Sequence, residues 1–145
     1  MLRTTINIFL FLISTSCLAQ TSFDHMAIVV KNLEATKQFY TTALGFKNIE
    51  DPTGNPLIDW LENDNGGQLH LIEGDLSKIT LTKSVHFSFA VTALSPFIQN
   101  LKDQKISFES WEGEKEGVTI RQDGVRQIYL QDPNGYWIEI NDRQK

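Results

Sequence analysis

The chain is short of cysteine. Cys17 is the single one in 145 residues, and it lies near the N-terminus. A disulfide framework within the chain and a thiolate metal cluster are both excluded. Basic runs are missing too. The 13 Lys and Arg are scattered against 18 Asp and Glu, for a net charge of −5, and they do not interleave with aromatics. No nucleic-acid partner is expected from that pattern. Long apolar runs are also lacking. The stretch from Ile6 to Ile13, interrupted by Asn7, is far short of the roughly 20 residues that span a bilayer. No transmembrane span is expected.

What stands at the N-terminus is ordered like a secretory leader. Met1-Leu2-Arg3 is positive, Ile6 to Ile13 is mostly apolar, and Ser14-Thr15-Ser16-Cys17-Leu18-Ala19 is small and polar. Residues 1–19 are expected to be a signal peptide and residues 20–145 a single exported domain, periplasmic or secreted. A lipid anchor at Cys17 is the alternative. Such anchors usually have an aliphatic residue three positions before the cysteine, where this chain has Ser14. A mature chain of about 125 residues is long enough to be held by its core alone.

The remainder repeats itself once. His25-Met26-Ala27-Ile28-Val29-Val30-Lys31-Asn32-Leu33 aligns without a gap on His86-Phe87-Ser88-Phe89-Ala90-Val91-Thr92-Ala93-Leu94. A helix pattern follows each copy. In the first, Asn32 is a good N-cap, Leu33, Phe39, Tyr40, Ala43 and Leu44 form the apolar stripe, and Gly45 ends it. In the second, Leu94, Phe97, Ile98 and Leu101 keep helical spacing, and Pro96 falls in the first turn. Three strand candidates then follow in each copy: 47–50, 57–61 and 68–72, then 107–111, 126–131 and 136–141. Asp132-Pro133-Asn134-Gly135 is a turn that joins the last two as a hairpin. Residues 112–117 and 122–124 are polar loop. The sequence thus predicts an α+β fold of two tandem strand-helix-strand-strand-strand units, about 22–74 and 84–142.

All three histidines fall on strand candidates, and the period of two sorts the side chains there. Met26, Ile28 and Val30 oppose His25 and Ala27. Leu69 and Leu71 oppose His70. Val85, Phe87, Phe89 and Val91 oppose His86, Ser88 and Ala90. Tyr136, Ile138 and Ile140 oppose Glu139. The large apolar sides are expected to pack on the helices. The other sides are expected to line a cleft in which His25, His70, His86 and Glu139 hold one divalent metal ion. Three imidazoles and a carboxylate suit zinc, nickel, manganese or iron.

The duplication, the histidine on each first strand, and the run Asp132-Pro133-Asn134-Gly135-Tyr136-Trp137-Ile138-Glu139 resemble the vicinal-oxygen-chelate superfamily. That group holds glyoxalase I, extradiol dioxygenases, fosfomycin-modifying transferases and bleomycin-binding proteins. The stretch Leu33 to Phe46 also resembles the family's first helix. The similarity, strongest to glyoxalase I-like (lactoylglutathione lyase-like) proteins, covers Phe23 to Asn141. It implies two βαβββ units curled into an open β-barrel-like cup around one metal, with ligands on the first and fourth strands of each unit. His70 departs from the glyoxalase I pattern, which commonly has Glu or Gln there. The resemblance also implies a homodimer, in many relatives with each site drawn from two chains.

Such a site chelates a small substrate through two adjacent oxygens, with the metal as Lewis acid. The expected activity is a glyoxalase-like lyase or isomerase with Glu139 as ligand and candidate base. A non-haem Fe(II) ring-cleaving dioxygenase and a non-catalytic drug-binding protein are the alternatives. Trp60, Trp111, Tyr129 and Trp137 are the aromatics that would line the cleft of the latter. Arg121 and Arg126 lie near the cleft strands, but no clear anchor for the carboxylates of glutathione is present.

Overall fold

The computed structural model describes residues 21–144. The expected leader and Cys17 lie outside the described residues. The elements in chain order are β1 (His25–Val30), α1 (Leu33–Leu44), β2 (Lys47–Ile49), β3 (Ile58–Glu62), β4 (Gln68–Glu73), β5 (His86–Ala90), α2 (Leu94–Asp103), β6 (Phe108–Glu109), β7 (Thr119–Ile120), β8 (Arg126–Gln131) and β9 (Trp137–Asn141). The mixed α+β architecture matches the expectation. Its strands form two separate sheets, ordered β1-β4-β3-β2 and β5-β9-β8-β6, with β7 pairing β8 on the side. The sheets are not closed into a barrel.

Each sheet is built the same way. The first strand lies parallel to the last, β1 on β4 and β5 on β9, and the remaining main pairs are antiparallel. Parallel pairing at the end of a sheet follows from the helical crossover between first and second strands. It leaves β1 and β5 as end strands.

The helices start and stop where the residue chemistry indicates. The Asn32 side chain accepts from the Ala35 N–H at 2.8 Å. Gly45 takes a left-handed φ of 72°, and the next amide, Phe46 N, donates to the Tyr40 carbonyl at 3.1 Å. The start of α2 is weaker, since Ala93 offers no side-chain cap.

The apolar parity holds in the core. Ile28, Val30, Leu69, Leu71, Ile138 and Ile140 are buried in one cluster shared by both units. Val85 does not join it and is 70% exposed. It precedes β5 rather than starting it, and its N–H closes a turn on Thr82. The strand expected over 107–111 is only Phe108–Glu109. Residues 119–120, assigned to no element from the sequence, form the short β7.

The Asp132–Gly135 turn clasps the two units. Asp132 Oδ1 accepts from the Asn134 and Tyr136 amides at 2.8 and 2.9 Å. Its other oxygen takes the Tyr40 hydroxyl at 3.3 Å and the Asn134 side-chain amide at 3.1 Å. Asn134 then reaches into the first unit. It accepts from Lys31 N at 2.9 Å and donates to Thr36 Oγ1 at 2.9 Å, at the start of α1.

Candidate metal centre

In the first unit, strand register gathers one face. Ala27 pairs with His70 across β1 and β4, and Trp60 pairs with His70 across β3 and β4. His25, two residues before Ala27, therefore shares the face with His70 and Trp60. The three rings stack. The Trp60 and His70 centroids lie 3.7 Å apart at 23°, and His70 and His25 lie 4.2 Å apart at 15°. His70 is buried in the middle, while His25 is exposed. Burial, reinforced by His25 beside it, lowers the His70 imidazole below its ordinary value and favours the neutral ring.

Each imidazole of this pair has one nitrogen engaged. His25 Nδ1 lies 2.6 Å from Asp24 Oδ2, and His70 Nε2 lies 3.2 Å from Gln68 Oε1. Both oxygens are acceptors, so those nitrogens carry the protons. The lone pairs are left on His25 Nε2 and His70 Nδ1. An acceptor on the nitrogen away from the ion fixes the tautomer of many metal-ligating histidines in this way. The rings face each other, however, so an ion in the plane of one lies off the plane of the other. One ring must turn for both to ligate one ion.

The second unit repeats the register with different chemistry. Ser88 pairs with Glu139 across β5 and β9, and Tyr129 pairs with Glu139 across β8 and β9. Glu139 is buried. Its Oε1 accepts from Asn141 Nδ2 at 2.7 Å and Ser88 Oγ at 3.0 Å. Its Oε2 accepts from the Tyr129 hydroxyl at 2.8 Å and faces His86 Nε2 at 3.4 Å. The Tyr129 hydroxyl also accepts from Gln127 Nε2 at 2.7 Å. Burial alone would raise the Glu139 carboxyl. The bonds from Asn141, Tyr129 and Ser88, with His86 alongside, outweigh it and hold the group below its ordinary value. Burial, together with the bond to Glu139, pushes the Tyr129 phenol well above its ordinary value, so it stays a donor.

His86 supplies the test of whether a cation fits. Its Nδ1 lies 2.8 Å from the Lys83 carbonyl, which can only accept. The proton of a neutral ring therefore sits on Nδ1, and the Nε2 lone pair looks at Glu139 Oε2. Two acceptors facing each other across 3.4 Å repel, so the contact requires a positive charge, either a proton on Nε2, which pairs His86 with Glu139, or a cation between them. A divalent ion satisfies that demand, and nitrogen plus carboxylate oxygen is an ordinary donor set for one.

The structure thus brings His25 to His70, and His86 to Glu139. It does not bring the two pairs together within one chain. Among the described residues no group of three or more His, Cys, Asp or Glu side chains could hold a metal ion. The ligand-bearing sides of the end strands lie open instead, with His25, Ala27, Ser88 and Ala90 on or near the surface.

Other basic groups near the site are engaged. The Lys83 ammonium pairs with Glu109 and donates to the Ser110 and Trp111 carbonyls, each at 3.1 Å. Arg121 pairs with Asp123 at 2.7 Å and Arg126 with Asp142 at 2.8 Å. Of the aromatics, Trp60 covers His70. The Trp111 and Tyr129 rings lie 5.4 Å apart and both approach His86. A groove of about 920 Å³ runs between the units on the apolar side, along Met26, Phe46, Leu69, Phe87 and Phe89, and touches none of the four candidate ligands.

Sequence reading passed over Ser88, Asn141 and Gln127 as partners of the carboxylate, and Asp24 and Gln68 as partners of the imidazoles. A signal was present. Ser88 shares the parity of His86, Asn141 that of Glu139, and Gln127 that of Tyr129. Polar residues on the ligand side of three neighbouring strands mark a network.

Comparison with known proteins agrees with the architecture. The family model described as the Glyoxalase/Bleomycin resistance protein/Dioxygenase superfamily matches residues 22–140. The chain is 27% identical over 125 residues to the uncharacterized protein YwbC of Bacillus subtilis (strain 168), covering 83% of this chain and 96% of that one. Among solved structures, it is similar to the fosfomycin resistance protein FosX of Listeria monocytogenes. That match has a TM-score of 0.68 and 17% identity, over 88% of this chain and 93% of the other. It is also similar to the integron cassette protein HFX_CASS4 from the mobile metagenome of Halifax Harbour Sewage Outfall. There the TM-score is 0.68 and the identity 25%, over 86% and 100% of the two chains.

Proposed function

We propose, from the premise that the chain belongs to the Glyoxalase/Bleomycin resistance protein/Dioxygenase superfamily, that it is a divalent-metal-dependent, glyoxalase-like lyase or isomerase. The observation that carries this reading is the approach of His86 Nε2 to Glu139 Oε2, which in the neutral ring turns two lone pairs toward each other. His25, His70, His86 and Glu139 are the proposed ligands. A bound divalent ion supplies Lewis-acid polarisation of a small substrate chelated through adjacent oxygens.

The residues around it hold and orient. The Asp24 carboxylate and the Lys83 carbonyl set the tautomers of His25 and His86. Donors from Asn141, Tyr129 and Ser88 keep Glu139 ionised, so it serves as ligand. To act as a base it has one direction left, that of Oε2 facing His86.

The site is proposed to be shared in a homodimer. His25 and His70 of one copy meet His86 and Glu139 of a second. Two facts support this: the pairs stand on or beside end strands, and the sides of those end strands at His25, Ala27, Ser88 and Ala90 are exposed. The leader reading places the mature protein outside the cytoplasm.

One observation favours a second reading. If His70 stays stacked under Trp60, the shell reduces to His25, His86 and Glu139. Two imidazoles and a carboxylate suit non-haem Fe(II) and a dioxygenase.

Elemental analysis of untagged protein, purified without chelator, is the first test. One divalent ion per chain is expected, and His86→Ala should lose it. Full metal in His86→Ala removes that residue from the shell. Turnover of hemithioacetals, against turnover of catechols under Fe(II), separates the two enzyme readings. No metal and no turnover leaves neither standing.

A further inference from the structure

The Glu139 carboxylate has two oxygens in unequal circumstances. Each offers two in-plane lone-pair directions. Both directions of Oε1 are taken, by Asn141 and Ser88. Oε2 receives one donor, the Tyr129 hydroxyl, and its remaining direction lies toward His86.

The phenol is itself directed. Gln127 Nε2 donates to the Tyr129 oxygen, so the phenol proton is left for Glu139. Gln127 Oε1 is buried and, among the described residues, has no partner. Flipping the amide would turn that oxygen to Tyr129 and draw the phenol proton away from Glu139. The unpaired acceptor is the consequence of keeping the phenol proton directed at the carboxylate.

The duplication shows that packing alone does not require this arrangement. The first unit has Trp60 at the register of Tyr129, Ala27 at that of Ser88, and Ile58 and Ile72 at those of Gln127 and Asn141. The same strand frame therefore accommodates apolar residues at all four positions. The polar set accompanies the carboxylate and is absent where His70 replaces it.

We propose that Tyr129, backed by Gln127, is a positioning residue that presents Glu139 to a divalent ion through Oε2 alone. It fixes the carboxylate as a one-oxygen ligand beside His86 and denies it the freedom of a mobile base. This inference rests on the metal-site reading above.

The test uses cobalt(II) as probe on the full chain, with affinity measured against a competing chelator and geometry read from visible absorption. Tyr129→Phe keeps the ring that packs on Trp111 and His86 and removes only the hydroxyl. It should bind cobalt about ten- to a hundredfold more weakly and shift the absorption bands, because the freed carboxylate can rotate or bind through both oxygens. Gln127→Leu, which retains the phenol, should shift the bands less in the same direction, and it carries the readout if Tyr129→Phe fails to fold. Unchanged bands overturn the proposal, whatever the affinity. Glu139→Gln distinguishes loss of the site from loss of the positioning role. If it binds cobalt as tightly as the wild type, the carboxylate is no ligand and the site reading falls. If it loses cobalt while Tyr129→Phe keeps wild-type bands, the site stands and the positioning role falls.

Discussion

The two units share strand order and register, yet they secure their candidate ligands by different physics. In the first, His70 is held by ring stacking, between Trp60 and His25, with one hydrogen bond to Gln68. In the second, Glu139 is held by hydrogen bonds from three side chains and the approach of His86. The contrast follows from the ligand's charge. A neutral imidazole is comfortable among apolar rings. A buried carboxylate needs donors, or it would be protonated. One backbone frame therefore carries two chemistries, and each strand position is free to change as long as its neighbours change with it.

The largest expected effect comes from cutting the link between the units. Asp132→Ala leaves the Tyr40 hydroxyl, the Asn134 side-chain amide and two turn amides without their acceptor. At about 1–3 kcal/mol for each buried group left unpaired, and with water reaching some of them, a loss of about 3 kcal/mol is expected in urea unfolding. A loss under about 1 kcal/mol would mean that the shared core alone joins the halves.

Next comes the stack. Trp60→Ala removes a half-buried indole from His70, and about 2 kcal/mol of stability should go with it, below the range for a fully buried tryptophan. Burial is the first cause of the lowered His70 imidazole, so its titration in NMR should move up toward the ordinary 6.5. A His70 titration that stays put in the variant would assign the lowering to His25 instead.

Both units should answer to pH, the first through the lowered His70 imidazole, which weighs against the fold as pH falls below its ordinary 6.5, and the second through carboxylates. Glu139 lies below its ordinary 4.5 in the fold. It binds its proton more readily when unfolded, so its contribution is complete above the unfolded value and fades as pH falls through the folded one. Asp132 works the other way. Burial raises it above 3.8, so its ionisation weighs against the fold as pH rises. Subtracting the Glu139→Gln stability curve from the wild type, both with chelator present, isolates Glu139. The difference should shrink as the solution is acidified from pH 6 through the carboxylate range. A flat difference would mean the cradle does not favour the ionised form.

These contrasts separate what the sequence makes visible from what it hides. The repeat, the parity of Ile28, Leu69, Leu71, Ile138 and Ile140, the Asn32 cap and the Gly45 stop are local patterns, and each appears where the spacing predicts. Whether His25 and His70 meet His86 and Glu139 is not a local pattern. It depends on how two sheets lie relative to each other, and strand period carries no term for that. The side-chain network fell between these cases. Tyr129 reads as an aromatic until its register opposite Glu139 is known. Only then does its hydroxyl matter more than its ring.

The smallest effect gives the sharpest comparison. Ser88→Ala takes one donor from Glu139 Oε1 and should cost about 0.5–1 kcal/mol, since Asn141 still bonds the same oxygen and Ser88 is exposed. Ala27→Ser places the same hydroxyl at the matching register of the first unit, also exposed, opposite His70. No carboxylate waits there, so stability should stay within about 0.5 kcal/mol. Urea titration of the pair, metal-free, measures both. Equal changes would show that a hydroxyl at this strand position acts on the backbone or on water alone. The cradle would then owe its specificity to Tyr129 and Asn141. Unequal changes, with only Ser88→Ala destabilising, would tie the hydroxyl to the carboxylate it faces and to the unit that has one.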